Sequence, residues 1–284
     1  MATRAAAVAG TWYPAHPEAL TRDVDGYLDA ATADCVGDIR AIIAPHAGLM
    51  FSGPIGAYAY KSIATRTYDV AVLVGPSHFV GFEGVAIYPE GAFATPLGPA
   101  MIDEGTAAAL SQSGPIVPMP AVHAREHSLE MQLPFLRRVC PHLPIVPLLM
   151  GEQRRSTIEH LAVSLSSALQ DRQALLVAST DLSHYFNAQT AATLDGEVVA
   201  HVDRFDVNGL FAVFERYRES DRGRFVGCGM GPALAVMLAA RTLGARTARV
   251  LRYGHSGEIS GDYDGVVGYM AAAIGNFAGG DGTC

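Results

Sequence analysis

"VLVGPSHFVGF" (residues 72–82) decides the fold, because an apolar run typical of a buried strand breaks at a Gly-Pro pair and then presents His78. The pattern recurs in "RAIIAPHAGLMFSG" (40–53) and "ALLVASTDLSHYF" (174–186), and each again leads to a histidine. Continuous apolar runs of this length are typical of parallel strands buried on both faces. Ligands of open α/β sheets bind beyond the carboxyl ends of the strands. The three histidines are therefore predicted to converge.

Strand-like and helix-like segments alternate along all 284 residues without a Ser/Gly linker or a block of charge. We therefore predict one domain, 1–284, with the tail 278–284 frayed. Mixed elements in this order indicate an α/β fold, a three-layer α/β sandwich. Predicted strands lie near 38–44, 69–75, 84–88, 144–149, 173–179, 247–253 and 264–270. Predicted helices lie near 16–30, 54–64, 104–112, 128–139, 156–170, 187–201, 206–217 and 232–243, with a kink or restart at Pro134.

The bulk composition excludes several classes of partner. A formal net charge of −8 argues against a nucleic-acid partner, which requires a basic surface. No apolar run approaches the length of a membrane span, and the N-terminus does not resemble a signal peptide. Four scattered cysteines without a CxxC pair fit a reducing cytoplasm. The single lysine, Lys61, together with abundant alanine, suggests a bacterial source.

Candidate metal ligands follow the apolar runs. His46 and His78 stand in matching strand-end contexts, and neutral imidazole is a common metal ligand. Cys228, in "VGCGMGPALAVMLAA", precedes a predicted helix whose positive dipole end favours a thiolate. The alternative for each histidine is a buried ring that hydrogen-bonds to backbone. The alternative for Cys228 is an ordinary buried thiol.

Asp181 and His184 form a third polar cluster. A carboxylate three residues from an imidazole can fix its tautomer and keep it competent to carry protons. The alternative is that Asp181 caps the following helix. The two roles are compatible.

The segment "HAREH" (123–127) matches the inverted zinc-protease pattern, H-x-x-E-H. That pattern needs a helix so that both imidazoles share one face, whereas the proline-rich sequence before His123 favours a loop. We therefore predict that His127 and Glu130 form a polar wall or support the site. Trp12, near the N-terminus, is a candidate for lining a substrate pocket, although a lone tryptophan is usually core.

Six ordered motifs carry a resemblance that spans almost the whole chain: "AGTWYPA", "APHAG", "GPSHF", "EHSLEMQLPFL", "STDLSHY" and "GCGMGPA". Together they closely resemble the Memo family, system protein B of the AmmeMemoRadiSam group. That family is similar in fold to class III extradiol dioxygenases, which hold non-haem Fe(II) with two histidines and a carboxylate.

The resemblance implies roles for individual residues. It implies that His46 and His78 are the histidine ligands and that Cys228 stands where the dioxygenases have their carboxylate. It implies proton handling by His184 with Asp181, and a pocket aromatic at Trp12. Phe51 occupies a position where some relatives have tyrosine, so a phenolic hydrogen bond is lost there. We predict that Trp12, Phe51, His127 and Glu130 are the residues that bind substrate.

Three functions remain open at this stage. The first is an oxidoreductase with one metal ion, iron or copper, because a thiolate makes the ligand set softer than that of the dioxygenases. The second is a non-enzymatic module that binds a peptide or small molecule in the same pocket. The third is a zinc hydrolase. The sequence does not choose the metal, the substrate or the oligomeric state.

Overall fold

The computed structural model describes residues 2–32 and 37–277. The predicted frayed tail, 278–284, lies outside the described residues. The strands are β1 (Thr3–Arg4), β2 (Gly37–Ala44), β3 (Val70–Pro76), β4 (Val85–Ile87), β5 (Ala92–Phe93), β6 (Ala100–Met101), β7 (Ile116–Pro118), β8 (Ile145–Met150), β9 (Ala174–Ser179), β10 (His184–Phe186), β11 (Thr247–His255) and β12 (Val266–Phe277). The helices are α1 (Pro17–Ala30), α2 (Leu49–Lys61), α3 (Glu104–Ser111), α4 (Pro120–His123), α5 (Leu133–Val139), α6 (Arg155–Leu169), α7 (Ala188–Asp203), α8 (Val207–Arg216), α9 (Glu219–Phe225), α10 (Met230–Thr242) and α11 (Gly257–Ser260).

The central sheet runs in the order β10-β12-β2-β9-β3-β8-β4-β7, with β11 paired to β12. The four consecutive strands β2, β9, β3 and β8 run parallel to one another, whereas β12 and β4 on either side of them are antiparallel. Their carboxyl ends therefore lie at one edge, which is the geometry that lets sequence-distant residues meet. Three shorter strands, β1, β5 and β6, form a separate small sheet.

Helices cover both faces of this sheet, and the prediction of a three-layer α/β sandwich is confirmed. Every residue of β3, β8 and β9 is buried, as expected when neither face meets water. Helix α2 packs on β2 and β12 with α1 and α5 beside it. Helix α10 packs on β2, β3 and β9 with α6 and α8 beside it.

The predicted strands and helices occur close to their expected positions, except that β12 runs on to Phe277 rather than ending near the predicted residue 270. Two further differences are informative. Helix α2 begins at Leu49 rather than at the predicted residue 54, and Pro54 lies inside it. Leu49 and Ile55 are buried there, and this burial offsets the backbone hydrogen bond that proline cannot make. Helix α9 was not predicted, because its sequence "ESDRGRF" has no buried face. The predicted restart at Pro134 is confirmed, since a 3-10 turn, Glu130–Gln132, precedes α5.

In the described part of the chain, no individual helix combines the length and hydropathy needed to cross a membrane. Taken together, α9 and α10 pass that test, but they are bent by 83° where they meet. Helix α10 is largely buried in the protein interior.

Candidate metal centre

His46 lies just past β2 and is held in one orientation by a buried hydrogen-bond network. Its Nδ1 lies 2.8 Å from Ser179 Oγ. Ser179 Oγ donates its own proton to the carbonyl of Ser128 and accepts from Gln132 Nε2. Ser179 Oγ can therefore only accept a hydrogen bond from His46. This places the proton of the ring on Nδ1 and leaves the lone pair of Nε2 able to bind a metal ion. Burial, followed by the neighbouring histidines, holds the pKa of His46 well below its usual range, so the ring is neutral.

His78, just past β3, is oriented in the same way by Glu126. Its Nδ1 lies 2.9 Å from Glu126 Oε1, and its backbone N–H donates to Oε2 at 2.6 Å. The backbone N–H groups of His127 and Ser128 also donate to Oε1. Burial alone would raise the pKa of Glu126, but the hydrogen bonds from His78 and Ser128 outweigh it and lower the pKa to about 2. An ionised Glu126 requires a proton on His78 Nδ1, which leaves Nε2 for a ligand.

Cys228 lies on the turn between α9 and α10, and three glycines explain its motif. Gly227 has φ +152°, and a Cβ there would lie 2.6 Å from the carbonyl of Asp181. A Cβ on Gly229 would overlap the carbonyl of Ser179, and one on Gly231 would lie 2.8 Å from Gln153 Oε1. "GCGMG" therefore lets this turn press against the end of β9.

Gln153 fixes the same turn from the other side. Its Nε2 donates to the carbonyl of Cys228 at 2.6 Å, and its Oε1 accepts from Gly231 N at 2.8 Å. Cys228 Sγ then lies 3.1 Å from His46 Nε2. Burial raises the pKa of the Cys228 thiol, and this outweighs the dipole effect predicted from sequence.

These elements bring His46, His78 and Cys228 together, with one donor atom from each residue within 4.8 Å of the others. Two further groups of candidate ligands overlap this one among the described residues: His78, Glu126 and His127, and Asp181, His184 and Cys228. In both, the carboxylate already accepts hydrogen bonds from backbone N–H groups. The group formed by His46 Nε2, His78 Nε2 and Cys228 Sγ contains no such carboxylate and is therefore the best candidate for holding a metal.

Asp181 and His184 also face this centre. Asp181 Oδ1 accepts from the backbone N–H groups of His46 and Ala47, at 2.7 and 3.3 Å. It thus joins the end of β9 to the start of α2. Burial raises the pKa of Asp181. Within the described residues, His184 Nδ1 has no hydrogen-bond partner, so the predicted bond from Asp181 to His184 is not formed.

A cavity of about 520 Å³ opens over the centre. Its lining comprises Trp12, His46, Ala47, His78, His127, Asp181, His184, Tyr185, Gly223, Arg224, Cys228 and Val267. The Trp12 ring contacts His127 at a tilt of 53° with ring centroids 4.3 Å apart, and His127 stacks on His78 at 4.5 Å. The two candidate substrate residues Trp12 and His127 therefore form one continuous aromatic wall beside His78 and His46.

Phe51 and Glu130, also predicted to contact substrate, do not line this cavity. Phe51 borders a neighbouring cavity of about 290 Å³ together with Thr11, Trp12, Gly48 and Met50. Glu130 is fully buried and binds Arg4, Tyr13 and the backbone of the N-terminal segment. Its contacts hold in place the segment that carries Trp12.

The "HAREH" segment is divided between core and cavity. Helix α4 ends at His123, so the segment is not one helix, in agreement with the sequence prediction. The His123 ring packs near Tyr88 and Phe93, and burial lowers its pKa to about 3. His123 belongs to none of the candidate ligand groups found in residues 2–32 and 37–277.

Several residues that hold or line the candidate site were not identified from the sequence. Glu126 was noticed only as part of the zinc pattern, and Ser179 only as a strand end. No motif or periodic pattern in the sequence pointed to Gln132, Gln153, Tyr185 or Arg224. Their roles depend on contacts with residues far along the chain, such as the 133 residues that separate Ser179 from His46.

Glu126→Gln is expected to weaken metal affinity by about 10- to 100-fold, because it removes the charge that keeps the proton on His78 Nδ1. The matched control is Glu90→Gln, an exposed glutamate outside the cavity lining, which should leave affinity unchanged. Competition titration against a chromogenic chelator measures both. Equal affinity in the two variants would rule out this role for Glu126.

Comparisons of sequence and of structure show which known proteins this chain resembles. Residues 4–273 match the sequence model of the family described as Memo-like protein. The chain is similar to MEMO1 family proteins of Methanopyrus kandleri (36% identity, 94% of this chain and 97% of the relative) and Methanothermobacter thermautotrophicus (34%, 94% and 98%). Among solved structures, it resembles an uncharacterized protein from Escherichia coli K12, with a TM-score of 0.60 and 14% identity over 84% of this chain and 100% of that chain. At that identity, the likeness concerns the fold alone.

Proposed function

Since the chain belongs to the Memo-like protein family, we propose that it is an oxidoreductase that holds one iron or copper ion on His46, His78 and Cys228. The observation that carries the proposal is the convergence of three donor atoms within 4.8 Å of one another, from three separate strand and helix ends. Both histidines have their Nδ1 atoms engaged by Ser179 and Glu126. Such supporting partners are typical of metal-ligating histidines.

The donor set fits a metal ion. Two imidazoles and a thiol form a soft set that suits copper, zinc or thiolate-ligated iron better than magnesium or calcium. His46 Nε2 and Cys228 Sγ are only 3.1 Å apart and both face the cavity. A redox-active ion there would supply the electron transfer to an oxidant that side chains cannot perform.

The chain's own residues would bind the substrate and move protons. The aromatic wall of Trp12 and His127 offers a surface on which a small molecule can stack. His184 lines the same cavity, and one of its ring nitrogens lies within 4.8 Å of Cys228 Sγ. A neutral imidazole in this place can accept a proton from a bound substrate. Asp181 keeps the start of α2 in place and so fixes His46.

A non-enzymatic binding role for a peptide or small molecule is the second candidate. The observation that favours it is the exposure of the cavity rim, where Trp12 is 37% exposed and Tyr185 is 69% exposed. Exposed aromatic side chains are common at ligand-binding surfaces. A zinc hydrolase at the same three ligands is chemically acceptable, because zinc binds imidazole and thiolate.

Anaerobic loading with Fe(II), copper or zinc, followed by an oxygen electrode assay with catechol and other small aromatic compounds, tests the proposal. About one metal per chain should bind, and oxygen uptake should require iron or copper. His184→Asn should lower turnover about 100-fold without changing metal stoichiometry. The control is His160→Asn, an exposed position on α6.

The same assay separates the alternatives. Metal binding without oxygen uptake, together with ligand binding that survives His184→Ala, would favour the binding module. Turnover supported by zinc alone, without oxygen, would favour the hydrolase. Failure of every metal to bind would contradict the metal centre itself.

A further inference from the structure

Tyr185 stands in an unusual backbone conformation at the mouth of the cavity. Its φ is +62°, in the left-handed region, although it is neither glycine nor asparagine. Its neighbours His184 and Phe186 pair with Val267 and Val266, so that Tyr185 is the extra residue of a β-bulge. The ring is 69% exposed and lines the cavity. Burial therefore gives no reason to retain a bulky residue in an unfavourable conformation, and such residues cluster at functional sites.

Arg224, on α9, is the permanent positive charge among the cavity-lining residues. Its guanidinium lies over the ring of Phe186 at 4.8 Å, and Phe225 is 5.9 Å away. Phe225 in turn stacks on Tyr217 at 4.7 Å, so the guanidinium rests on an aromatic platform. The ion pairs formed within the described part of the chain do not include Arg224. Its hydrogen-bonding edge is therefore available to a ligand.

We infer that the cavity mouth is a recognition site for a small aromatic carboxylate, with Arg224 binding the carboxylate and Tyr185 and Trp12 contacting the ring. This inference rests on the proposed function of the same cavity and names its substrate class. The bulge links the two parts of the site, because it presents Tyr185 to the cavity and is followed directly by Phe186, which holds Arg224.

The chemistry selects a carboxylate over other anions. A guanidinium matches the two oxygens of a planar carboxylate in a bidentate contact. Phosphate sites bring together several donors, commonly at a helix N-terminus, whereas Arg224 is the only arginine or lysine among the described residues that line this cavity. A volume of about 520 Å³ suits a compound of one or two rings.

Benzoate and benzamide, which have the same ring but differ in charge, test the inference by isothermal titration calorimetry. Binding can also be followed through Trp12, the only tryptophan in the chain. Benzoate should bind about tenfold more tightly than benzamide. Arg224→Gln should remove that preference, Arg224→Lys should keep part of it, and the control Arg241→Gln, exposed at the far end of α10, should keep all of it.

Tyr185→Gly separates recognition from structure. Glycine adopts a positive φ without strain, so the melting temperature should stay the same or rise. The binding of both probes should weaken several-fold because the ring contact is lost. A lower melting temperature with unchanged probe binding would mean that Tyr185 has only a structural role, and would overturn its part in the site.

Both probes are also titrated after the protein has been stripped with a chelator, because benzoate can bind a metal directly. The preference for benzoate should persist in the stripped protein. Equal binding of the two probes, a preference that survives Arg224→Gln, or a preference that disappears on stripping would each overturn the inference. If the protein binds no metal at all, the proposed function fails, yet the benzoate preference is still measurable.

Discussion

Cys228→Ser is expected to abolish stoichiometric binding of iron or copper, and His46→Ala is expected to do the same. The two donor atoms lie 3.1 Å apart, one on His46 just past the end of β2 and one on Cys228 just before the start of α10. Removing either leaves two protein ligands, so affinity should fall by more than the roughly 100-fold that loss of a supporting hydrogen bond costs. Metal analysis after gel filtration and competition titration measure the loss.

Cys228→Asp is the informative companion to the serine variant. Two histidines and a carboxylate form the ligand set of many non-haem Fe(II) oxygenases, whereas thiolate favours softer metals. The aspartate variant should therefore bind Fe(II) again, but with a reduced preference for copper and zinc. Unchanged metal selectivity would mean that the side chain at position 228 does not touch the ion.

His123→Asn is the control that tests where in the protein the metal binds. His123 lies in the core near Tyr88 and Phe93, outside the candidate centre, so metal stoichiometry should be preserved. The opposite result, with metal lost in His123→Asn and kept in His46→Ala, would move the metal to the "HAREH" segment. It would also revive the zinc-protease interpretation of the sequence.

Glu130→Ala is expected to cause the largest loss of stability, about 3–5 kcal/mol in the free energy of unfolding. Glu130 is fully buried beside the buried guanidinium of Arg4. It also accepts hydrogen bonds from Tyr13 Oη at 2.6 Å, Ala7 N at 2.7 Å and Val8 N at 3.0 Å. Alanine would leave all four donors without this acceptor and a charge uncompensated in the interior.

Urea unfolding monitored by circular dichroism measures this effect. The matched control is Glu197→Ala, which removes a glutamate that pairs with Arg216 on the surface at 2.7 Å. That variant should leave the free energy of unfolding nearly unchanged, because water screens exposed pairs. Trp12 fluorescence should shift to the red in Glu130→Ala as the N-terminal segment loosens. Similar losses of stability in the two glutamate variants would contradict the proposed stabilising role of Glu130.

The local pattern of the sequence was sufficient for most of the fold. The apolar runs that became β2, β3 and β9 are continuous because helices cover both faces of the sheet. The predicted helix 16–30 became α1, and its residues Leu20, Val24 and Leu28, which are four positions apart and share one helical face, are all buried. The sequence was less informative where a short element has no buried face, as in α9.

The candidate site was likewise predicted from the sequence only in part. The convergence of His46, His78 and Cys228 was predicted, because parallel strands must end at one edge and the motifs resemble those of a known family. The partners of these residues were not predicted. Glu126 lies 48 residues from His78, and Glu130 lies 126 residues from Arg4. Nothing in the local sequence around either glutamate distinguishes Glu126, which orients His78, from Glu130, which holds the N-terminal segment in place.

By itself, the sequence determined which of the longer segments become strands and helices and which strand ends carry histidine, since periodicity and turn residues act over a few neighbouring positions. Only the tertiary structure decided which nitrogen of each histidine is free, where Glu130 points, and that Tyr185 and Arg224 share the cavity mouth. Those outcomes depend on hydrogen bonds and packing between residues that are close only after the sheet has formed. Two sequence-distant groups can form a hydrogen bond only when the fold brings them within bonding distance, and the local sequence around either group does not contain that information.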